Sequence, residues 1–392
     1  MSDAPHSPFR RRVFYIPGFD PFPARRYREL YRKEGALQAQ VSGHEIALKP
    51  AGRDGWEVVA TVEGARVEAR VTVLGWSDIV QSSMAAGVAG TYAMLVRTAW
   101  VYLSSGALRA LLRTRKGPVI AALYPVVILL LQAQVAGWVW WVAFRLLGGW
   151  IGAGVGAVLG AAILEGFRRI DRRIFAYYLM HDFAFTARDG GATAPGLNAR
   201  IDAFAAEIAA ALDEGFDEVL VIGHSSGAAV AVQALARLKR QGLRPDRLNL
   251  LTLGHAVPMQ SFLPRAGALR RDLHDVARWG DIFWLDVTAP GDGCSFALID
   301  PVAVSGAGGE GQLWPVVVSA AFTQSLRPET WARLKRRYFR LHFQYLCAFD
   351  APRDYDYFAI TAGPRSLAAR FAGRASSPGR VVRALSPHRG QM

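Results

Sequence analysis

Runs and alternations of apolar residues divide the chain into segments of different kinds. Val219 to Ile222 is a short β-branched run of the sort found in a strand covered on both faces, and from Ala228 onward the chain is rich in Ala and Leu with no breaker until Gly242. Between them lies Gly223-His224-Ser225-Ser226-Gly227, so the pattern predicts a strand, a sharp turn and a helix. Val13 to Ile16 reads as a short strand ending at Pro17-Gly18-Phe19-Asp20-Pro21, and Glu45 to Leu74 alternates around Gly55 and Gly64 as two or three antiparallel strands. Leu197 to Leu212 sets Ile201, Phe204, Ile208 and Leu212 on one side of a helix. Leu248 to Leu253 and Ile282 to Val287 read as the next two strands, and Arg327 to Leu346 as helical. No internal repeat is visible.

A different pattern occupies the middle. From Val119 to Phe144 there is no charged side chain, and after the single Arg145 a second uncharged stretch runs from Leu146 to Leu164. Crossing a hydrocarbon core takes about 20 apolar residues, so each stretch is long enough. Trp138, Trp140, Trp141 and Trp150 add the aromatic character of membrane interfaces. If the strand at Val13 and the strand at Val219 belong to one sheet, they lie on one side of the bilayer and the number of crossings between them is even. Arg109, Arg113, Arg115 and Lys116 precede the block, and Arg168, Arg169, Arg172 and Arg173 follow it, which by the positive-inside rule makes both flanks cytoplasmic. Gly148, Gly152, Gly156 and Gly160 recur at every fourth position and would line one helical face, open to the first span or to the same face of another copy as a homo-oligomer contact. Met84 to Leu112, less apolar and interrupted by Arg97 and Arg109, is expected to lie at the interface rather than cross.

Composition narrows the partners. The formal charge of +14 suits an anionic surface, and the basic residues crowd beside the apolar block without a zinc-finger or RNP-like pattern, so lipid is expected and nucleic acid is not. Two cysteines, Cys294 and Cys347, lack metal-ligand spacing, and no disulfide framework is expected. Met1 to Arg12 is polar and ends in Arg10-Arg11-Arg12 with no apolar core behind it, so no secretory signal is expected. His181-Asp182 is not expected to hold a metal, because adjacent residues face different directions. No phosphate loop or dinucleotide fingerprint appears, and no cofactor is expected.

The chemistry lies in the Gly-His-Ser-Ser-Gly turn. A tight strand-to-helix turn exposes Ser225, Gly223 and Gly227 omit the Cβ atoms that would collide there, and the helix that follows directs free N–H groups at the reacting centre. With its flanking strand and helix, the motif resembles the α/β-hydrolase superfamily in its lipase and esterase branches, over roughly residues 197–360 plus the early strand. The resemblance implies an α/β fold: a mostly parallel sheet flanked by helices, here with an inserted transmembrane hairpin. The expected organisation is residues 1–83 for the first strands, 84–173 for the membrane insertion with spans near 119–143 and 146–165, 174–372 for the main core, and 373–392 for a disordered basic tail able to touch anionic lipid.

The resemblance also implies a triad in the order nucleophile, acid, histidine. Of the histidines after Ser225, His388 falls in the tail, and His255 and His274 precede the best acids, which leaves His342. Asp292, in the Pro-Gly-Asp-Gly loop beyond a strand, is the preferred acid; Asp286, inside that strand, and Asp300 are alternatives. The oxyanion donors implied are the amides of Ser226 and Phe19, the latter in place of the family's usual His-Gly loop. The expected function is hydrolysis of an ester, a lipid or other acylated amphiphile, by a membrane-anchored enzyme facing the cytoplasm. Acyl transfer through the same serine, or a scaffold that keeps the fold without turnover, are the alternatives.

Overall fold

The computed structural model describes residues 7–390; the first six residues of the polar N-terminal stretch and the last two of the tail lie outside the described residues. Strand β1 (Phe9–Ile16) leads into helix α1 (Ala24–Ser42), then β2 (Glu45–Ala51), β3 (Gly55–Val62) and β4 (Ala65–Val73). Helices α2 (Ser77–Ser83), α3 (Val88–Ser104), α4 (Ala107–Leu111), α5 (Lys116–Leu147), α6 (Gly149–Arg169), α7 (Asp171–Ile174), α8 (Ala176–Ala187) and α9 (Pro195–Leu212) follow without a strand among them. The core resumes with β5 (Glu218–His224), α10 (Gly227–Arg240), β6 (Leu248–Leu253), α11 (Val257–Ser261), α12 (Gly267–Ala277), β7 (Phe283–Thr288) and β8 (Val316–Ser319).

The eight strands form one sheet in the order β2-β3-β4-β1-β5-β6-β7-β8. It is antiparallel from β2 to β4 and parallel from β4 through β1 to β8. Alternation along β1 divides the interior: Phe14 and Ile16 face α9, α10 and α12, whereas Val13 and Tyr15 face α1 and the C-terminal segments. Both faces are covered, as the continuous apolar run of β5 requires. The shared direction of β1, β5 and β7 puts their carboxyl ends along one edge, where an open α/β sheet offers its loops to a ligand.

Three expectations need correction. Strand β1 begins at Phe9, four residues ahead of the expected Val13, so Arg10-Arg11-Arg12 belongs to the strand. Arg11 is fully buried, paired with Glu218 at 2.5 Å and donating to the carbonyls of Gly363 and Arg365. Removing either partner would strand a buried charge at a cost of about 3–5 kcal/mol, so this pair fastens β1 and β5 to the C-terminal segment. The tail expected to be disordered is packed: Ser377 donates to Val317, Val381 bridges Ile299, and Leu385 is buried beneath α4. Its few apolar residues are spaced to fit grooves in the core, which composition does not reveal. Arg327–Leu346 is broken into Pro328–Leu334, Tyr338–His342 and a 3-10 turn, Gln344–Leu346.

Helices α5 and α6 are long and apolar enough to cross a membrane, with the break at Gly148. Around them Leu146, Trp150, Ile151 and Val158 are exposed, an outward apolar surface unlike the buried core of the sheet domain. β1 pairs directly with β5, so any crossings between them must be even in number. Helix α3 lies at 99° to α2 and packs Leu95, Thr98 and Tyr102 inward while Val96, Trp100 and Leu103 face out. Its Arg97 donates to the Arg188 carbonyl, a bond that keeps the guanidinium beside the protein.

The glycine face is occupied within the hairpin. A Cβ at Gly156 would fall 2.8 Å from the Trp140 carbonyl oxygen, and one at Gly152 would fall 2.9 Å from Ala143 O, so the two backbones touch there. Gly148 is not on that face; it forms the turn, with φ +68°. The face is therefore covered by the neighbouring helix and not free for a second copy. Gly156→Leu should lower the thermal stability of the detergent-solubilised protein, by roughly 1–3 kcal/mol of overpacking. Gly154→Leu, where a side chain meets nothing within 4 Å, should leave it unchanged; equal losses in thermal unfolding of the two variants would refute the packing.

Candidate active site

The site is assembled at the carboxyl edge of the sheet. Ser225 sits between the end of β5 and the start of α10 with φ +57°, a left-handed conformation costing about 1–3 kcal/mol for a residue with a side chain. Backbone bonds hold it there: Ser225 N–H donates to Leu253 O at 2.9 Å, and Ala228 N–H donates to Ser225 O at 3.2 Å. The flanking glycines are a matter of space. A Cβ on Gly227 would lie 2.4 Å from the carbonyl oxygens of Ile16 and Pro17, and one on Gly223 would lie 2.7 Å from Ala228 Cα. A Cβ on Gly18 would strike Ser225 Cβ at 2.9 Å, so the loop after β1 lies directly against the turn.

Asp292 and His342 meet beside this turn. Asp292 follows β7 in the loop anticipated for it and is fully buried, while His342 closes the short helix Tyr338–His342. The Asp292 carboxylate accepts from His342 Nδ1 at 2.7 Å, from Tyr345 Oη at 3.1 Å and from the Cys294 amide at 2.9 Å. Burial pushes its pKa up, but the His342 charge and the hydrogen bonds from His342, the Cys294 amide and the Ser295 side chain outweigh burial and hold it below the ordinary value. An ionised carboxylate on Nδ1 fixes the proton there and leaves Nε2 as the basic nitrogen. Nε2 is buried with no hydrogen-bond partner among the described residues, and both His342 and Ser225 line one cavity. No hydrogen bond joins Nε2 to the Ser225 hydroxyl; in serine–histidine pairs such a bond is often long without a ligand and tightens when one binds.

His224, within the turn itself, was not anticipated. Its Nε2–H donates to the His342 carbonyl at 3.0 Å, and the two rings stand 4.8 Å apart. Burial lowers its pKa to about 3, so it is a neutral strut at physiological pH and positions the backbone of His342. Its place at the end of β5, next to Ser225, is the only signal for this role in the sequence.

Of the expected oxyanion donors, the Ser226 amide has no partner among the described residues. The Phe19 amide donates to Ser226 Oγ at 2.8 Å, so it becomes available when that hydroxyl rotates. The cavity itself is small, about 80 Å³, and mostly apolar, with walls from Phe19, Tyr178, Met259, Phe296 and Phe339. Pro118 and Ala121 of α5 also wall it, so the first long apolar helix reaches the site. Ordinary ligand clefts measure about 300–1,000 Å³, and an acyl chain needs these walls to part.

Two carboxyls, Asp20 and Asp182, line this cavity, and sequence reasoning weighs Asp182 only as a metal ligand. It makes no side-chain hydrogen bond among the described residues, and burial raises its pKa to about 7, with the nearby His342 charge pulling the other way. Its folded-state pKa lies above the ordinary 3.8, so its stability contribution is full below about pH 4 and lost as pH rises through 7. Asp182→Asn should therefore raise the melting temperature at pH 8 by roughly 2–4 °C and change it little at pH 4. An equal shift at both values in thermal unfolding would contradict this.

The remaining candidates have structural roles. Asp286 lies mid-strand, accepts from Thr252 Oγ1 at 2.6 Å and has its other oxygen 3.7 Å from His255. Burial pushes the Asp286 carboxyl up and lowers His255 to about 4, which leaves a neutral pair away from Ser225. Asp300 caps the short helix Pro301–Val304. His388 bonds Ser105 O, and His274 bonds Arg278. His181 bonds Thr91 Oγ1 and Ser83 O, facing away from the catalytic cavity that Asp182 lines. No cluster of metal-ligating side chains occurs among the described residues. No family model, curated protein or solved structure matches this chain.

Proposed function

We propose that this protein is a membrane-anchored serine hydrolase of the α/β-hydrolase type that cleaves acyl esters of amphiphiles. The observation that carries the reading is Ser225, held at positive φ on a strand-turn-helix, sharing a cavity with a histidine whose Nδ1–H is bonded to a buried, ionised Asp292. In this reading Ser225 Oγ attacks the ester carbonyl carbon while His342 Nε2 takes its proton. The amides of Ser226 and Phe19 hold the oxyanion. Collapse breaks the ester C–O bond, and the leaving alcohol receives the proton from Nε2. Water then gives a proton to Nε2 and attacks the acyl-serine carbon; the C–Oγ bond breaks, Ser225 Oγ takes the proton from Nε2, and the carboxylic acid is released. Asp292 stabilises the imidazolium in both halves.

The membrane supplies the substrate class. Helix α6 is about 32 Å long and α5 about 48 Å at 1.5 Å per residue, against a hydrocarbon core of about 30 Å. The excess of α5 is at its basic N-terminal end, where Pro118 and Ala121 wall the catalytic cavity. This supports a site at the bilayer boundary, on the side that the flanking arginines favour as cytoplasmic.

A p-nitrophenyl ester tests turnover with full-length protein in detergent. Acyl-enzyme chemistry predicts a burst of nitrophenol stoichiometric with protein; folded protein that gives neither burst nor turnover would favour the scaffold. Product formed only when an acceptor alcohol is present would identify acyl transfer.

A further inference from the structure

A second cavity, about 780 Å³ in volume, adjoins the catalytic one and belongs to no step above. The two share a wall of Asp20, Tyr178, Phe339 and Phe343. Phe339 stacks on Phe175 at 4.2 Å, and the Tyr178 hydroxyl donates to the Phe19 carbonyl, so the wall is tied to the loop carrying the second oxyanion donor. The cavity lies at the end of α6 that follows the apolar stretch: Arg168 and Arg172 line it from that side, and α1 lines it from the core.

Its charges are unevenly satisfied. Each lining carboxylate is engaged within the protein. Asp20 accepts from Tyr27 Oη at 2.7 Å and the Phe22 amide, and Glu34 accepts from Arg340 at 3.1 Å and the Ala348 amide. Asp171 accepts from the Tyr177 and Tyr178 amides, and Glu29 pairs with Arg32. Arg168 is likewise taken, by Glu165. Arg26, Lys33 and Arg172 also line the cavity, and none of the three has an ion-pair partner among the described residues; Arg26 lies over the Phe22 ring, 3.7 Å from its centroid. Three cations without an ion-pair partner among the described residues, in a roomy cavity with aromatic walls where every acid is already hydrogen-bonded or paired within the protein, make a site for a dianionic or monoanionic oxyanion group such as a phosphate.

We propose that this cavity holds the phosphate headgroup of an anionic glycerolipid while the lipid's acyl ester reaches Ser225 through the shared wall. The assignment of the lipid as substrate rests on the hydrolase reading; the headgroup site does not. A free phosphate offers the same chemistry, but the position of the cavity beside α6 and its common wall with an apolar catalytic pocket favour a phosphate attached to acyl chains. Parting of Tyr178 and Phe339 joins the two spaces, which also enlarges a catalytic cavity too small for a chain.

The test uses the full chain with Ser225→Ala, so that bound lipid is not consumed. Native mass spectrometry compares retention of phosphatidylglycerol and phosphatidylcholine with identical acyl chains. Retention of the anionic lipid should be favoured by about tenfold or more, as expected for several basic side chains acting on one headgroup. Arg26→Glu, Lys33→Glu and Arg172→Glu together should abolish the preference, whereas Arg244→Glu, remote from the cavity, should keep it. Equal retention of both lipids before any charge is reversed would overturn the proposal whether or not the charge variants fold. Complete displacement of phosphatidylglycerol by millimolar inorganic phosphate would assign the cavity to free phosphate and overturn it too. In protein with Ser225 intact, an absent nitrophenol burst beside a retained lipid preference would remove the hydrolase reading alone. A burst without lipid preference would remove the headgroup site alone.

Discussion

Ser225→Ala will reduce ester turnover by roughly 10⁴–10⁶-fold while leaving the fold intact. The magnitude follows from the non-additivity of a triad: without the nucleophile, His342 and Asp292 have no covalent pathway to assist, and only cavity binding and the oxyanion amides remain. The lost stabilisation of the transition state is about 5–8 kcal/mol. The folded state loses little, because the Ser225 hydroxyl makes no hydrogen bond among the described residues and its backbone is fixed by Leu253 and Ala228. Thermal unfolding together with the rate separates the two effects. Substantial residual turnover in the well-folded variant would mean that another group is the nucleophile.

Asp292→Asn is expected to lower kcat by about 10⁴-fold at neutral pH. The amide is nearly isosteric, but it carries no charge to stabilise the imidazolium and can present N–H₂ to Nδ1, which moves the ring proton onto Nε2 and removes the base. Because the Asp292 carboxyl is held below its ordinary value, it is ionised throughout the neutral range, and the defect should not be recovered by changing pH between 6 and 9. The sign is the usual one for a depressed acid: its stabilising contribution is present above the ordinary pKa of 3.8 and is lost as pH falls through the folded value. Asp286→Asn provides the contrast. Asp286 touches Thr252 and stands near His255, and burial already favours its neutral form, so steady-state kinetics should show kcat nearly unchanged. A fall in kcat confined to Asp286→Asn would reassign the acid.

Much of this arrangement could be read from the sequence, for identifiable physical reasons. The strand at Val219 and the helix after Gly227 announce themselves by β-branched and Ala-rich runs, and the three early strands by alternation. The long apolar helices stand out because nothing but a bilayer tolerates such stretches on the outside of a protein. Asp292 was favoured by its place in a loop beyond a strand, and His342 by chain order implied by the resemblance; the hydrogen bond between them joins residues 50 positions apart. What sequence reasoning missed was set by tertiary context. Helix α1, over Ala24–Ser42, is mostly polar, and its buried positions Tyr27, Tyr31, Glu34 and Gln38 include two residues that look like surface. Arg11 reads as lying outside the first strand because its partner, Glu218, is 207 residues away. Asp182 and His224 sit in segments whose apolar neighbours dominate the pattern, and their roles depend on facing a cavity formed by other elements. The tail was judged on composition, which says nothing about the grooves that receive Val381 and Leu385.

The central claim is that the imidazole of His342 activates the hydroxyl of Ser225. Labelling of the full-length protein by a fluorophosphonate, with the adduct located by mass spectrometry of the peptide spanning Val219 to Arg237, tests it most directly. A single adduct on Ser225 is expected, with a rate of formation that falls by about 10²–10⁴-fold in His342→Gln, the range contributed by a positioned general base. An unchanged rate in His342→Gln, or no adduct on folded wild-type protein, would contradict it.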